Sequence, residues 1–152
     1  MYFRILVTGS RDFADLVLLS WHLGLHTGTG LAHGRPVVVV HGDCLTGADR
    51  LADQIARQHN ILTEPHPASW HAPCQLSCKP GHRRTRNHST YCPAAGNYRN
   101  QEMVDSGADI CLAFLWPGAG NIGTRDCMNR AQLAGIPVLE HWGRTATTMR
   151  IG

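Results

Sequence analysis

Two constellations in this chain carry residue types with chemistry of their own. The first is Cys74, Cys78, His82 and Cys92, spaced C-x3-C-x3-H-x9-C inside a proline-rich stretch. Thiolate and imidazole are the preferred ligands of zinc, and four of them close a tetrahedral structural site that leaves no position open for catalysis. His71 and His88 compete for the fourth place, and His66 is more remote. Cys44, Cys111 and Cys127 lie elsewhere, Cys111 in an apolar run that reads as core. Unrelated surface residues are the plain alternative to a zinc site. Three cysteines crowded with histidines into one loop favour the metal.

The second constellation is a set of glycine loops that each follow an apolar run. Ile110 to Trp116 breaks at Pro117 into a turn holding Gly118, Gly120 and Gly123, and Thr124 opens a helical pattern. Glycine lets backbone approach a ligand, and a helix start offers free N–H groups at a positive dipole end, so this is a phosphate-type site. An earlier loop places Gly9, Ser10 and Arg11 after a strand, and a hydroxyl and a guanidinium fork both suit phosphate oxygens. A third loop runs Gly42 to Asp49, with Gly47 just before a helix. Asp49 either caps that helix or accepts hydrogen bonds from a ribose. Arg99, placed near the start of a further helix, sits poorly at a positive helix end unless an anion neutralises it. No Gly-Lys-Ser/Thr occurs, and no G-x-G-x-x-G follows the first strand, so neither common nucleotide motif is present.

These loops need a frame to hold them. Strands are expected at 3–7, 37–41, 61–63, 110–115 and 137–140, and helices at 16–25, 48–59, 100–106 and 125–134. The second strand is VVVVH, as a strand buried on both faces should be. Helix 48–59 carries Leu51, Ala52, Ile55 and Ala56 on one face. Strand and helix alternate, which predicts an α/β architecture with a mostly parallel sheet of about five strands and helices on both faces. Ligands of such sheets bind at the carboxyl ends of the strands, where all three loops fall. Residues 1–142 are expected to form one domain. Within it, 67–98 is an insert with no structure of its own, ordered by metal, and 143–152 is a flexible tail.

The chain has 152 residues, 43% of them hydrophobic, enough for one domain with a core. A net charge of +3 is too small to argue for nucleic acid by itself, although Lys79, Arg83, Arg84 and Arg86 cluster in the insert. No apolar run approaches the roughly 18 residues needed to span a membrane. The opening FRILVTG reads as a strand and not as a leader, so a cytoplasmic location is expected.

The stretches ILVTGSRDF (5–13), VVVVHGDCLTGADRLA (37–52), AGNYRNQEMVDSGADICLAF (95–114), PGAGNIGTRDC (117–127) and GIPV (135–138) together resemble the SLOG superfamily. That superfamily includes the DNA-uptake protein DprA (Smf) and the Lonely guy cytokinin-activating enzymes. The nearest resemblance is to its YspA-like branch of small bacterial and phage proteins. It implies a Rossmann-like three-layer sandwich that binds a nucleotide or nucleotide-derived molecule, such as an ADP-ribose-like ligand, to sense or sequester it.

Lonely guy enzymes hydrolyse the N-glycosidic bond of nucleoside monophosphates. They use an Arg-Lys pair at a helix start and a Pro-Gly-Gly-x-Gly-Thr-x-x-Glu motif. Arg99 matches the arginine, and Asn100 stands in place of the lysine. Pro117, Gly118, Gly123 and Thr124 match the second motif across a longer loop. Its glutamate falls on Cys127, with Asp126 beside it. The resemblance therefore implies Arg99 and Asp126 as the catalytic pair of an alternative hydrolase reading. Binding falls to Gly9, Ser10, Arg11, Gly42, Gly47, Asp49, Asn100, Gly118, Gly123 and Thr124. A third reading is a nucleic-acid binder using the basic insert. A homodimer is expected from the Lonely guy relatives.

Overall fold

The computed structural model describes residues 1–145, so most of the expected tail, 146–152, lies outside the described residues. Five strands form one parallel sheet: β1 (Phe3–Gly9), β2 (Val37–His41), β3 (Leu62–Pro65), β6 (Ile110–Leu115) and β7 (Val138–Trp142). Their order is β3-β2-β1-β6-β7, and every pairing is parallel. A short antiparallel hairpin, β4 (Arg84–Arg86) with β5 (Ser89–Tyr91), stands apart from the sheet. Helices are α1 (Leu16–Ala32), α2 (Ala48–Gln58), α3 (Ala95–Asp105) and α4 (Ile122–Leu133).

Alternation along the strands divides the core in two. Ile5, Val7, Val37 and Val39 pack with Leu19 and Leu23 of α1 and with Ala48, Ala52 and Ala56 of α2. Leu6, Val40 and Cys111 face the other way, onto Met103 and Val104 of α3 and Cys127 and Ala131 of α4. The result is a three-layer α/β sandwich of Rossmann-like form. None of its helices among the described residues is long and apolar enough to cross a membrane.

Several boundaries differ from the sequence reading. Helix α1, which already contains Gly24, runs seven residues beyond position 25 through Gly28 and Gly30, because packing outweighs the propensity cost of the three glycines. Gly30 lies against the Phe3 ring, which fills the space a side chain would need. Helix α3 begins at Ala95, five residues early, so Arg99 lies in its second turn and not at its positive end. Helix α4 begins at Ile122, which brings Gly123 and Thr124 into its first turn. The insert is not structureless: it holds the β4–β5 hairpin, whose turn places Asn87 and His88 at φ 51° and 63°.

The start of the expected tail is docked. Gly143 N–H donates to the Leu115 carbonyl at 2.8 Å. Arg144 donates to the buried Asp15 carboxylate through its backbone N–H at 2.8 Å and its guanidinium at 2.9 and 3.1 Å. Asp15 also caps α1, accepting from Leu18 N–H at 3.1 Å. The Arg144 hydrogen bonds hold this carboxyl below its ordinary value.

Behind the sheet, His22 of α1 stacks on His141 of β7 with ring centroids 3.6 Å apart. Burial lowers His141 to about 4 and also lowers His22 and His26. The buried His26 and His141 Nε2 atoms lack partners among the described residues. An unfolded imidazole titrates near about 6.5. The folded state therefore binds these protons less well than the unfolded state does. The stabilisation is full above about pH 6.5 and is lost as pH falls toward 4. Urea midpoints measured across that range should fall steadily for the native chain and fall less for His141→Phe. An equal slope in both would show that this cluster does not carry the acid sensitivity.

Candidate functional site

The connections from β1 and β6 leave the sheet in opposite directions, β1 toward β2 and β6 toward β7. Such a switch point opens a crevice at the carboxyl edge. A cavity of about 270 Å³ occupies it here. Nine of the sequence-derived binding and catalytic residues line it: Gly9, Ser10, Arg11, Gly42, Asp49, Arg99, Asn100, Gly123 and Thr124.

Each wall is placed by a different element. Gly9 and Ser10 end β1, and Ser10 N–H donates to the Phe114 carbonyl at 2.9 Å, tying the loop to β6. The Ser10 hydroxyl accepts from Asp12 N–H at 3.0 Å, which turns the loop back. Ser10 O then accepts from Ala48 N–H at 3.1 Å, the first residue of α2. Gly47 precedes that contact at φ 79°, with its α-carbon against the Ser10–Arg11 backbone. A Cβ there would lie 2.5 Å from the Arg11 Cα, so Gly47 serves chain closure and does not line the cavity.

Asp49 does not cap α2 through its side chain, because the helix has no side-chain cap. Its buried carboxylate accepts from Cys44 N–H at 3.3 Å and faces the cavity. Burial, and then the Asp49 charge, push the Cys44 thiol up. The turn ahead of Cys44 is held by His41, which sequence reading passed over as a strand residue. Asp43 N–H donates to His41 Nδ1 at 3.0 Å, which leaves the proton on Nε2 facing Asp53 at 2.8 Å. Its only sequence signal is a polar residue closing a run of four valines.

Arg99 reaches across from α3. Its guanidinium donates to the Gly42 carbonyl and, through Nε, to Asn100 Oδ1 at 3.1 Å. A Cβ at Gly42 would come within 2.7 Å of the Arg99 Cζ, so a side chain there would push the guanidinium from this position. Asn100, buried, donates to the Gly123 carbonyl at 3.1 Å and to Asp126 Oδ2 at 3.0 Å. It thereby joins α3 to the first turn of α4.

Asp126 lies outside the cavity lining. Its carboxylate is shared between Asn100 and Arg130, whose Nε donates at 2.8 Å. Helical geometry turns it toward the α3–α4 seam, so it positions Asn100 and does not face a ligand. Cys127, which stands at the glutamate position of the Lonely guy motif, is fully buried beside Cys111 in the core.

The loop into α4 is stapled by Asn121, another residue missed in sequence. Its side chain accepts from Trp116 N–H at 3.1 Å and donates to the Trp116 and Ala119 carbonyls at 3.1 and 3.0 Å. Asn121 is the N-cap residue but caps nothing with its side chain. The first turn of α4 therefore has no side-chain cap, and its residues Ile122, Gly123 and Thr124 line the cavity. Gly118 makes the exposed turn at φ 81° and lies outside the lining.

The Cys/His cluster lies in the insert. Turns closed by Cys78 N–H to the Gln75 carbonyl and His82 N–H to the Lys79 carbonyl present Cys74, Cys78 and His82. The hairpin then returns the chain to Cys92, whose N–H donates to the Trp70 carbonyl at 2.8 Å. The four ligand atoms all lie within 4.8 Å of one another. Cys78 and Cys92 Sγ are 3.9 Å apart, and Cys92 Sγ is 3.6 Å from His82 Nε2. Tetrahedral zinc with bonds of about 2.3 Å to sulfur separates its ligand atoms by about 3.7 Å, which matches the two distances from Cys92 and exceeds the 2.9 Å between His82 Nε2 and Cys74 Sγ, so the donor types fit the ion. The competing His71 instead faces the Thr90 carbonyl at 3.1 Å through Nδ1. Tyr98 donates to Cys78 Sγ at 2.5 Å, which draws that thiol below its ordinary value. Arg83, counted in the basic cluster, turns inward to the Ala72 and His71 carbonyls and Thr90, while Arg84 and Arg86 stay exposed.

Comparison with known proteins reaches the first part of the chain, which builds two of these walls, and also nearly its whole length. A family model described as the YspA, cpYpsA-related SLOG family matches residues 3–72, which hold the Ser10 loop and the Gly42–Asp49 loop. The chain is also 38% identical over 143 residues to the Gene 61 protein of Mycobacterium phage D29, covering 90% of this chain and 94% of that protein. With its parallel sheet and glycine-lined carboxyl edge, the chain belongs to the YspA, cpYpsA-related SLOG family.

Proposed function

We propose that the protein binds a nucleotide or nucleotide-derived ligand, such as an ADP-ribose-like molecule, and acts by sensing or sequestering it. The observation that carries this is the uncapped first turn of α4 lining the same cavity as Ser10, Arg11 and Arg99. Helix-start amides, a hydroxyl and guanidinium forks are the donors a phosphate takes. Asp49 supplies the acceptor a ribose hydroxyl needs. Cytoplasmic residence and a homodimeric state belong to the same proposal. Nucleic acid is the less favoured partner, since Arg83 is committed to holding the insert together.

A second reading, hydrolysis of an N-glycosidic bond, is favoured by one observation: Asp49 places a buried carboxylate in the cavity. An oxocarbenium-like transition state requires such a group, and Asp126 is held elsewhere.

A structural zinc held by Cys74, Cys78, His82 and Cys92 is proposed with the binding function. The ion would order an insert with little apolar core, because metal affinity and folding are coupled.

Thermal denaturation with AMP, ADP-ribose and cyclic nucleotides tests the main reading. At 100 times its Kd a ligand should add about 2.7 kcal/mol and raise Tm by roughly 5 to 10 °C. Arg99→Ala should weaken binding at least about tenfold, as loss of a charge-assisted contact does. No shift with any of these compounds would overturn the reading.

Base release from nucleoside monophosphates tests the second. Asp49→Asn should abolish it and Asp126→Asn should retain most of it. A native chain that releases no base eliminates the hydrolase.

Metal analysis of the purified protein should return about one equivalent of zinc. Chelation or Cys92→Ser should lower Tm. Less than about a tenth of an equivalent, with no response to chelator, would rule the zinc site out.

A further inference from the structure

The cavity at α4 opens into a longer groove. Beside it lies a space of about 350 Å³ that shares Arg11, Gly42, Cys44 and Arg99 with it and adds Trp70. Beyond that lies a wider space of about 510 Å³ lined by Arg11, Trp70, Tyr91 and Arg86 among others. Arg11 borders all three, and Trp70 borders the outer two.

Trp70 is a fixed platform. Its carbonyl is tied to Cys92 N–H, and its ring edge rests on Gly96 of α3, where a Cβ would come within 3.1 Å of it. Tyr91 makes a T-shaped contact with the indole, with centroids 6.4 Å apart at 76°. The Arg11 guanidinium stands over the indole face, 5.8 Å from its centroid. The indole is half-buried and borders two cavities, so part of its surface is open to a ligand, and the Arg11 guanidinium shares that surface. A core tryptophan would have both faces covered.

We infer that Trp70 is the stacking platform for the aromatic base of a nucleotide whose phosphate lies at the start of α4, with Arg11 spanning the two subsites. This rests on the phosphate-binding reading above and extends it to the ligand's other end. Base–aromatic stacking needs only a π-face and tolerates different bases, which fits a wall carrying Trp70 and Tyr91. The hairpin and the Cys/His cluster acquire a role in the site, because Tyr91 and Cys92 are consecutive and together brace the platform.

Calorimetric titration of the zinc-loaded native chain with AMP and with ribose 5-phosphate tests the inference. AMP should bind at least about tenfold more tightly, equivalent to about 1.4 kcal/mol for the base. Trp70→Leu should erase that difference and leave ribose 5-phosphate binding unchanged. Trp70→Phe, which keeps a ring and guards against misfolding of the leucine variant, should retain most of the difference. If both probes bind the native chain equally, the stacking subsite is wrong and the phosphate site stands. If both weaken together in Trp70→Phe, Trp70 only packs the insert and the subsite is again wrong. If neither probe binds the native chain, the phosphate reading falls and this inference with it. A short oligodeoxyadenylate that displaces AMP and binds more tightly would reassign the groove to a nucleic-acid strand and overturn the free-nucleotide form.

Discussion

The carboxyl edge of this sheet depends on one backbone junction. Ser10 donates its N–H to Phe114 of β6 and accepts with its carbonyl from Ala48 at the head of α2 and from Phe13. Three elements meet there within the space of one residue, because Gly47 adds no side chain against the Ser10–Arg11 backbone. Backbone polar groups that are buried must be paired, and this junction pairs them while leaving the Ser10 and Arg11 side chains for the cavity. Asp49 of α2 and the start of α4, which follows β6, line one cavity because this junction holds α2 and β6 against β1.

A second tier transmits that geometry to the far wall. Arg99 rests on the Gly42 carbonyl, Asn100 rests on Arg99, Gly123 and Asp126, and Asp126 rests on Arg130. The line runs from β2 through α3 to α4. Charge is distributed economically along it. The carboxylate nearest the Lonely guy glutamate position neutralises Arg130, while the carboxylate in the cavity comes from α2. Cys127 places a small thiol in the core between α4 and β6.

The insert follows a different logic from the domain that carries it. It has little apolar content, and its order comes from discrete polar contacts: Arg83 to two carbonyls, Cys92 to Trp70, Tyr98 to Cys78. A cluster of four convergent side chains suits such a segment, since a bound metal would supply what a hydrophobic core otherwise provides. Its position beside the groove, and not on the distant face of the sheet, makes it a wall of the site.

The strands and the metal-ligand set were legible in the sequence because each is a local signal. VVVVH and ICLAFL are buried on both faces, and C-x3-C-x3-H-x9-C is a spacing of ligands within one loop. The glycine loops were legible for the same reason, since backbone freedom is a property of single residues. Tertiary structure decided what the loops face and how far the helices run. Three glycines in α1 argue locally for an end that packing against β1 and α2 overrides. The β4–β5 hairpin has no alternation to announce it and is held by Arg83 across the insert. Arg144 was read as tail because its partner, Asp15, lies 129 residues away in sequence. The sequence by itself determined a parallel α/β fold with phosphate-type loops and a thiol-rich insert. Only the folded chain decided that Asp49 faces the cavity and Asp126 does not, because the direction of a carboxylate depends on where neighbouring helices place its partners.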